Sequence, residues 1–182
     1  SRPVHRTIPI PMDSDCRLTP TRSPMTGTGK MDKRYLITGG SGFIGSNFIH
    51  FVLGNHPDCS VINLDKLTYA GNPDNLRDIE QDPRYRFVEG DICDPDTVNR
   101  IVSGGIDYIF NFAAETHVDR SIIDPGAFIR TDVMGTHVLL ESARRYGVER
   151  VIQISTDEVY GSIEQGAFCE SDTVAPSSPY SA

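Results

Sequence analysis

The tightest constraint on the fold of this chain is a short segment with glycine at positions 39, 42 and 45. Residues 35–38 before it are apolar with β character, and residues 43–53 after it place apolar side chains at helical spacing. In such a segment Gly39 permits a tight turn, Gly42 lets the backbone approach a pyrophosphate, and Gly45 lets the helix pack closely on the strand. The segment therefore predicts a strand–turn–helix unit that presents a helix N-terminus to the phosphates of a dinucleotide.

The chain also has an acidic residue at the position where a dinucleotide-binding strand–turn–helix unit carries one. Asp65 ends a second apolar strand, residues 61–64, about 20 residues after the glycines. A carboxylate there accepts hydrogen bonds from ribose hydroxyls and repels a 2′-phosphate, which favours NAD over NADP. Lys66 follows directly and weakens that preference. A glycine-rich turn with a purely structural role is the alternative.

Strands and helices alternate along the rest of the chain. This alternation predicts an α/β fold, a doubly wound parallel sheet of the Rossmann type with helices on both faces. Further strands are predicted at 85–89, 107–112 and 150–155, and helices at 73–81, 94–102 and 125–146. Asp94 and Pro95 are predicted to begin the second of these helices and Gly147 to end the third.

The ends of the third and fourth strands should face the same crevice as the glycine turn. Asp91 and Ile92 follow the third strand, and residues 112–116 follow the fourth, with small alanines that would let a cofactor lie against the strand end. A turn or capping role is the alternative for Asp91. His117 is interpreted as a hydrogen-bonded loop residue.

Residues 1–30 differ from the rest of the chain. They hold five basic residues against two acidic ones, and five of the twelve prolines, in a chain whose net charge is −8. They show no apolar period, so they predict a disordered extension, with residues 31–182 forming the domain.

The acidic remainder argues against nucleic-acid partners. No apolar run suits a membrane span or a secretory signal, and four dispersed cysteines without metal-ligand spacing favour free thiols in the cytoplasm.

Several stretches resemble the extended short-chain dehydrogenase/reductase family. Within it they are similar to the dTDP-glucose 4,6-dehydratases, and the similarity runs over about residues 32–182. The stretches are residues 65–72 (DKLTYAGN), 113–121 (AAETHVDRS), 155–161 (STDEVYG) and 175–182 (APSSPYSA). The most specific piece is the sequence Thr156-Asp157-Glu158, because related epimerases carry small residues at the two acidic positions.

The resemblance implies catalytic roles for four residues. In these enzymes NAD oxidises the C4 alcohol of the sugar to a ketone, which acidifies the C5 proton. Glu158 would remove that proton, and Asp157, kept protonated, would protonate the departing C6 hydroxyl. Thr156 would hydrogen-bond the C4 oxygen, and Tyr180 would be the base for the C4 hydroxyl. An exposed acidic turn is the alternative for the carboxyl pair.

The resemblance also implies a set of NAD contacts and one further substrate contact. Thr116 replaces a serine common in the family and would touch the substrate as well as the cofactor. Asp132 stands where the family pattern has asparagine. The implied NAD-binding residues are Gly39, Gly42, Phe43, Ile44, Gly45, Asp65, Lys66, Leu67, Thr68, Asp91, Ile92, Phe112, Ala113, Ala114, Glu115, Thr116 and Thr131.

The family pairs its tyrosine with a lysine four residues later, which would be residue 184, beyond Ala182. We therefore expect a chain truncated before the C-terminal substrate-binding part, with little or no turnover of its own. The resemblance implies dTDP-glucose as the substrate of the parent enzyme, and a homodimer formed through long helices such as 125–146. Two alternatives stay open: another nucleotide-sugar enzyme, such as a UDP-sugar epimerase or dehydratase, and a non-catalytic NAD-binding fragment.

Overall fold

The computed structural model describes residues 33–116 and 118–182. The predicted extension, residues 1–30, and the predicted loop residue His117 lie outside the described residues. Five strands form one parallel sheet in the order β3-β2-β1-β4-β5. The strands are β1 (Lys33–Thr38), β2 (Cys59–Asp65), β3 (Tyr85–Glu89), β4 (Tyr108–Asn111) and β5 (Arg150–Gln153). This order reverses between β1 and β4, and it confirms the predicted doubly wound, Rossmann-type fold.

Helices cover both faces of the sheet. One face packs against α2 (Pro95–Val102) and α5 (Thr136–Tyr146), and the other packs against α1 (Phe43–Asn55) and a 3-10 segment, Pro73–Ile79. Side chains alternate across the pleat, so the neighbouring residues Leu36 and Ile37 of β1 are both fully buried on opposite faces. The two hydrophobic cores that result fix the carboxyl ends of β1, β2 and β4 at one edge of the sheet.

The predicted caps of two helices are present in the structure. The Asp94 side chain accepts the Asp96 N–H at 3.1 Å and begins α2, with Pro95 at its first position. Gly147 ends α5 in the left-handed conformation, at φ 72°.

Two predicted helices differ from the structure. In place of the predicted helix 73–81 there is a shorter 3-10 segment, Pro73–Ile79, with a kink at Leu76, whose φ is −126°. The predicted helix 125–146 is interrupted: α4 (Pro125–Phe128) leads into a π-helical segment, Ile129–Gly135, which leads into α5. A further helix before them, α3 (Val118–Ile123), was not predicted. None of the helices in the described part of the chain is both long enough and apolar enough to cross a membrane.

Candidate active site

A crevice of about 700 Å³ runs along the carboxyl edge of the sheet, where the strand order reverses. This volume is typical of a small-molecule site. The structure brings together nearly all of the residues that the sequence predicts for the site. Those lining the crevice are Gly39, Gly42, Phe43, Ile44, Gly45, Asp65, Lys66, Thr68, Asp91, Ile92, Phe112, Ala113, Ala114, Glu115, Thr116, Thr131, Thr156 and Tyr180.

The glycine turn has the geometry of a phosphate cradle. Gly39 lies at φ 66°, and a Cβ there would fall 2.6 Å from the Ala113 nitrogen of the segment after β4. Gly42 is the N-cap of α1 and offers no capping side chain, so the N–H groups of the first turn are left for another acceptor. Phe43 and Ile44 are 82% and 61% exposed at this helix end. The turn can therefore accept an anionic group against backbone N–H donors.

Asp65 supports the turn and lies at the adjacent end of the crevice. Its side chain is buried and accepts the Ser41 N–H at 2.9 Å and the Leu67 N–H at 2.8 Å, one on each carboxylate oxygen. Each oxygen retains a second lone pair that can accept a ribose hydroxyl. Leu67 does not line the crevice, and it adopts a positive φ of 54°. Its predicted contact with the cofactor stays a prediction, and in the structure its backbone N–H holds the Asp65 carboxylate.

Lys66 and Asp91 form an ion pair at the same end. Lys66 Nζ lies 2.7 Å from Asp91 Oδ2. Burial alone would raise the pKa of Asp91, but hydrogen bonds from Lys66 and from the Cys93 N–H hold it below its ordinary value. Because the Lys66 ammonium is paired with Asp91, it is less available to attract a 2′-phosphate. Lys66 therefore weakens the preference for NAD over NADP less than the sequence suggested.

The other end of the crevice holds the predicted substrate and catalytic hydroxyls. Thr116 Oγ1 lies 3.3 Å from the hydroxyl of Tyr69, a residue that the sequence analysis did not single out. Tyr180 packs edge-on against Phe128 of α4, with ring centroids 6.5 Å apart. Thr156 also lines this end, so three hydroxyl side chains from distant parts of the chain share it.

The predicted carboxyl pair lies beside the crevice lining and does not form part of it. Asp157 and Glu158 begin a 3-10 turn, Asp157–Tyr160, and both side chains are exposed. The Thr156 hydroxyl accepts the Glu158 N–H at 3.3 Å and lies 3.4 Å from an Asp157 carboxylate oxygen. Thr156 thus fixes the backbone from which both carboxyl groups project.

A buried polar network beneath this end was missed by sequence reasoning. The Thr38 hydroxyl of β1 donates to the Asn111 side chain of β4, whose amide donates to Gln153 of β5 at 2.7 Å. Asn111 also contacts Thr136 of α5 at 3.4 Å. The signal available was Asn111 in a strand position where an apolar residue would be expected. The network ties three neighbouring strands together under the segment that lines the crevice.

Asp132 is a second residue whose role the sequence left open. It lines the crevice from the π-helical segment and accepts the Glu115 N–H at 2.9 Å. Burial raises the pKa of Asp132 to about 6; the hydrogen bond from the Glu115 N–H opposes this shift, and the Glu115 carboxylate adds to it. Asp132 is therefore ionised at neutral pH at a cost in stability.

Among the described residues, no cluster of His, Cys, Asp and Glu side chains could hold a metal ion.

Replacing Asp132 with asparagine should stabilise the chain in a pH-dependent way. The folded pKa of about 6 lies above the ordinary value of 3.8, so the cost is absent below that value and complete above pH 6. We expect Asp132→Asn to raise the free energy of unfolding by about 1–2 kcal/mol near pH 7.5 and by much less near pH 4. This range allows for solvent screening of the partly exposed carboxylate. Urea unfolding at both pH values measures this, with Asp119→Asn, at an exposed position of α3, as the control. Equal gains at both pH values would contradict it.

The fold and crevice define a dinucleotide-binding domain of the Rossmann type, in the short-chain dehydrogenase/reductase class. The family model described as GDP-mannose 4,6 dehydratase matches residues 36–182, and the chain belongs to this family.

The similarities also extend to individual proteins. A dTDP-glucose 4,6-dehydratase of Streptomyces niveus is 56% identical over 153 residues, covering 82% of this chain and 45% of that protein. The structure of DesIV, a dTDP-glucose 4,6-dehydratase from Streptomyces venezuelae with NAD and TYD bound, matches with 51% identity and a TM-score of 0.77, over 81% of this chain and 47% of that one. A UDP-glucose 4-epimerase from Thermotoga maritima, solved with UDP-glucose, matches with 33% identity and a TM-score of 0.73, over 81% of this chain and 46% of that one. The chain spans about half the length of the curated relatives it matches.

Proposed function

We propose that this chain binds NAD and forms the cofactor half of a dTDP-glucose 4,6-dehydratase. The observation that carries the proposal is that Thr156 and Tyr180 reach the same crevice as the glycine turn and Asp65. The dehydratase relative at 56% identity and the epimerase at 33% support dehydration over epimerisation.

The crevice residues fit NAD. Asp65 would hold the adenosine ribose, and the uncapped first turn of α1 would hold the pyrophosphate. The nicotinamide half would then extend past β4 towards Thr116, Thr131 and Tyr180. NAD bound there supplies a hydride acceptor for the sugar C4 carbon and a hydride donor for C6.

The side chains at that end would carry the proton transfers. Tyr180 would accept the proton of the C4 hydroxyl while Thr156 orients the C4 oxygen by a hydrogen bond. Glu158 would then remove the C5 proton and Asp157 would protonate the departing C6 hydroxyl. Both carboxyl groups are exposed among the described residues, so we infer that bound substrate buries them and separates their proton affinities.

Two measurements test the proposal. Calorimetric titration of the 182-residue chain with NAD should show saturable binding. A protein of the relatives' full length that contains this chain should convert dTDP-glucose to a 4-keto-6-deoxy sugar, detected by its absorbance in alkali. Interconversion of glucose and galactose forms without that absorbance would contradict dehydration and favour the epimerase alternative. That the 182-residue chain alone turns over little substrate stays a prediction, as do its cytoplasmic location and its lack of nucleic-acid partners.

The proposal includes a homodimer of the full-length enzyme, formed through the helices between β4 and β5. These helices carry large apolar side chains that are exposed and lie outside the crevice lining: Ile122, Ile123, Ile129, Met134 and Leu140. Several such residues on adjoining helices are typical of an interface between protein chains.

A charge placed on this surface should separate the subunits. We expect Leu140→Asp to weaken dimerisation at least tenfold, because a carboxylate would be buried without a partner in an apolar contact. Val174 is similarly exposed, at 59% against 49% for Leu140, but lies outside the helices, so Val174→Asp is the matched control. Sedimentation of both variants measures the effect. In a protein of the relatives' full length that contains this chain, a dimer that Leu140→Asp leaves intact, or a monomer without any substitution, would contradict this interface.

A further inference from the structure

The 3-10 turn Asp157–Tyr160 carries the proposed acid and base, and its two ends are held by different parts of the structure. Thr156 precedes the turn, close after β5. The Ile154 N–H donates to the Asn111 carbonyl of β4 at 3.1 Å, so the chain is tied to the sheet just before Thr156. The sheet therefore fixes the end of the turn at which Thr156 lies.

An aromatic stack holds the other end. Tyr160, the last residue of the turn, stacks on Phe168 with ring centroids 5.2 Å apart and an angle of 19° between the ring planes. Both side chains are half-buried, and neither lines the crevice. Because stacked rings pack in a defined relative orientation, the contact fixes the direction of the chain at Tyr160.

The backbone beside the stack is held by a second segment. The Ala175 N–H donates to the Val159 carbonyl at 2.9 Å. Gly161 follows the turn at φ 84°, and a Cβ there would lie 2.6 Å from the Ala175 carbonyl oxygen. The two backbones thus approach closely where the turn ends, which leaves this end little room to move.

The two carboxyl groups have few contacts of their own. Asp157 lies 3.4 Å from the Thr156 hydroxyl, and neither Asp157 nor Glu158 forms an ion pair with another described residue. Their positions therefore depend on the backbone of the turn. Proton transfer needs donor and acceptor within hydrogen-bond reach, so a small displacement of that backbone is costly.

We propose that Tyr160 and Phe168 are positioning residues for the acid and the base of the dehydration. Their stack holds the turn so that Glu158 reaches the C5 proton of the sugar and Asp157 reaches the C6 hydroxyl. This inference rests on the proposed function. Neither ring lines the crevice, so both act through the turn and not by contact with NAD.

The stack should matter for elimination of water and not for the oxidation that precedes it. Thr156 is held through the sheet, and Tyr180 packs against Phe128, so hydride transfer from the sugar C4 carbon to NAD does not depend on the stack. The hydride returns to C6 only after both carboxyl groups have acted. Loss of the stack should therefore let NADH form and delay its return to NAD.

Tyr160→Leu, made in a protein of the relatives' full length that contains this chain, tests the proposal. We expect formation of the 4-keto-6-deoxy sugar to slow by about 10–100-fold per NAD-binding site, counted by calorimetric titration. NADH formation in a single turnover, followed by its near-ultraviolet absorbance, should continue at the rate of the unsubstituted protein. Phe168→Leu should give the same selective defect from the other ring. Tyr160→Phe keeps the stack and should retain turnover.

Tyr108→Leu is the matched control. Tyr108 is also half-buried and packs on one aromatic ring, that of Tyr35, at 5.5 Å between centroids, outside the crevice lining. Tyr108→Leu should retain both steps per NAD-binding site, whatever it costs in stability.

The possible results separate this inference from the proposed function. Full turnover in Tyr160→Leu or Phe168→Leu would overturn the inference, and so would a loss of NADH formation in parallel with product, which indicates a general structural role. The selective defect in Tyr108→Leu, or its appearance in Tyr160→Phe, would also overturn it. If the unsubstituted protein binds NAD but forms neither NADH nor product from dTDP-glucose, the proposed dehydration fails and this inference fails with it.

Discussion

Gly39→Ala is expected to abolish NAD binding and to destabilise the chain. Gly39 combines a positive φ of 66° with backbone atoms of residues 112 and 113 at 2.6–2.8 Å from a Cβ. The left-handed conformation alone costs an alanine about 1 kcal/mol. The contacts add to this because the neighbouring atoms are backbone, which cannot rotate away. Relief requires the turn or the segment after β4 to move, and both line the crevice.

The chain provides a matched control for this substitution. Gly54 lies within α1, where an added Cβ would meet nothing within 4 Å. Gly54→Ala should therefore stabilise the chain by about 0.5–1 kcal/mol through helix propensity and leave NAD binding unchanged. Urea unfolding and calorimetric titration of both variants measure the two effects. Gly39→Ala with the parent's NAD affinity would show that this close approach does not shape the cofactor site.

The glycine turn and Asp65 could be predicted from sequence because their roles depend on local backbone geometry. Gly39 must accommodate a turn, Gly45 allows the helix to lie close to that turn, and Asp65 ends the strand that lies next to β1 in this fold. The caps Asp94 and Gly147 were predictable for the same reason: each acts on residues within one helical turn of itself.

Features that depend on which strands are neighbours could not be predicted in this way. Thr38, Asn111 and Gln153 form one network because β1, β4 and β5 are adjacent, although they are far apart in sequence. Likewise, the partner of Asp132 is the backbone of Glu115, and the partner of Lys66 is Asp91. In each case the residue type was visible in the sequence, but the contact that gives it a role was not.

The carboxyl pair is the part of the site on which the proposed dehydration depends most. In a protein of the relatives' full length that contains this chain, Glu158→Gln should lower kcat by about 10²–10⁴-fold, because an amide cannot accept the C5 proton. NAD binding should be unchanged, since Glu158 does not line the crevice. Glu170→Gln, an exposed carboxyl in the loop after β5, is the control and should retain full activity.

Asp157→Asn should give a different defect, and the difference separates the two roles. The amide cannot protonate the departing C6 hydroxyl, so turnover should also fall by about 10²–10⁴-fold. Glu158 would still remove and return the C5 proton, so exchange of that proton with deuterium from solvent should continue in Asp157→Asn and stop in Glu158→Gln. Proton NMR of the sugar in D₂O measures the exchange, and alkaline absorbance of the 4-keto product measures turnover. Exchange that persists in Glu158→Gln and is lost in Asp157→Asn would reverse the assignment of acid and base.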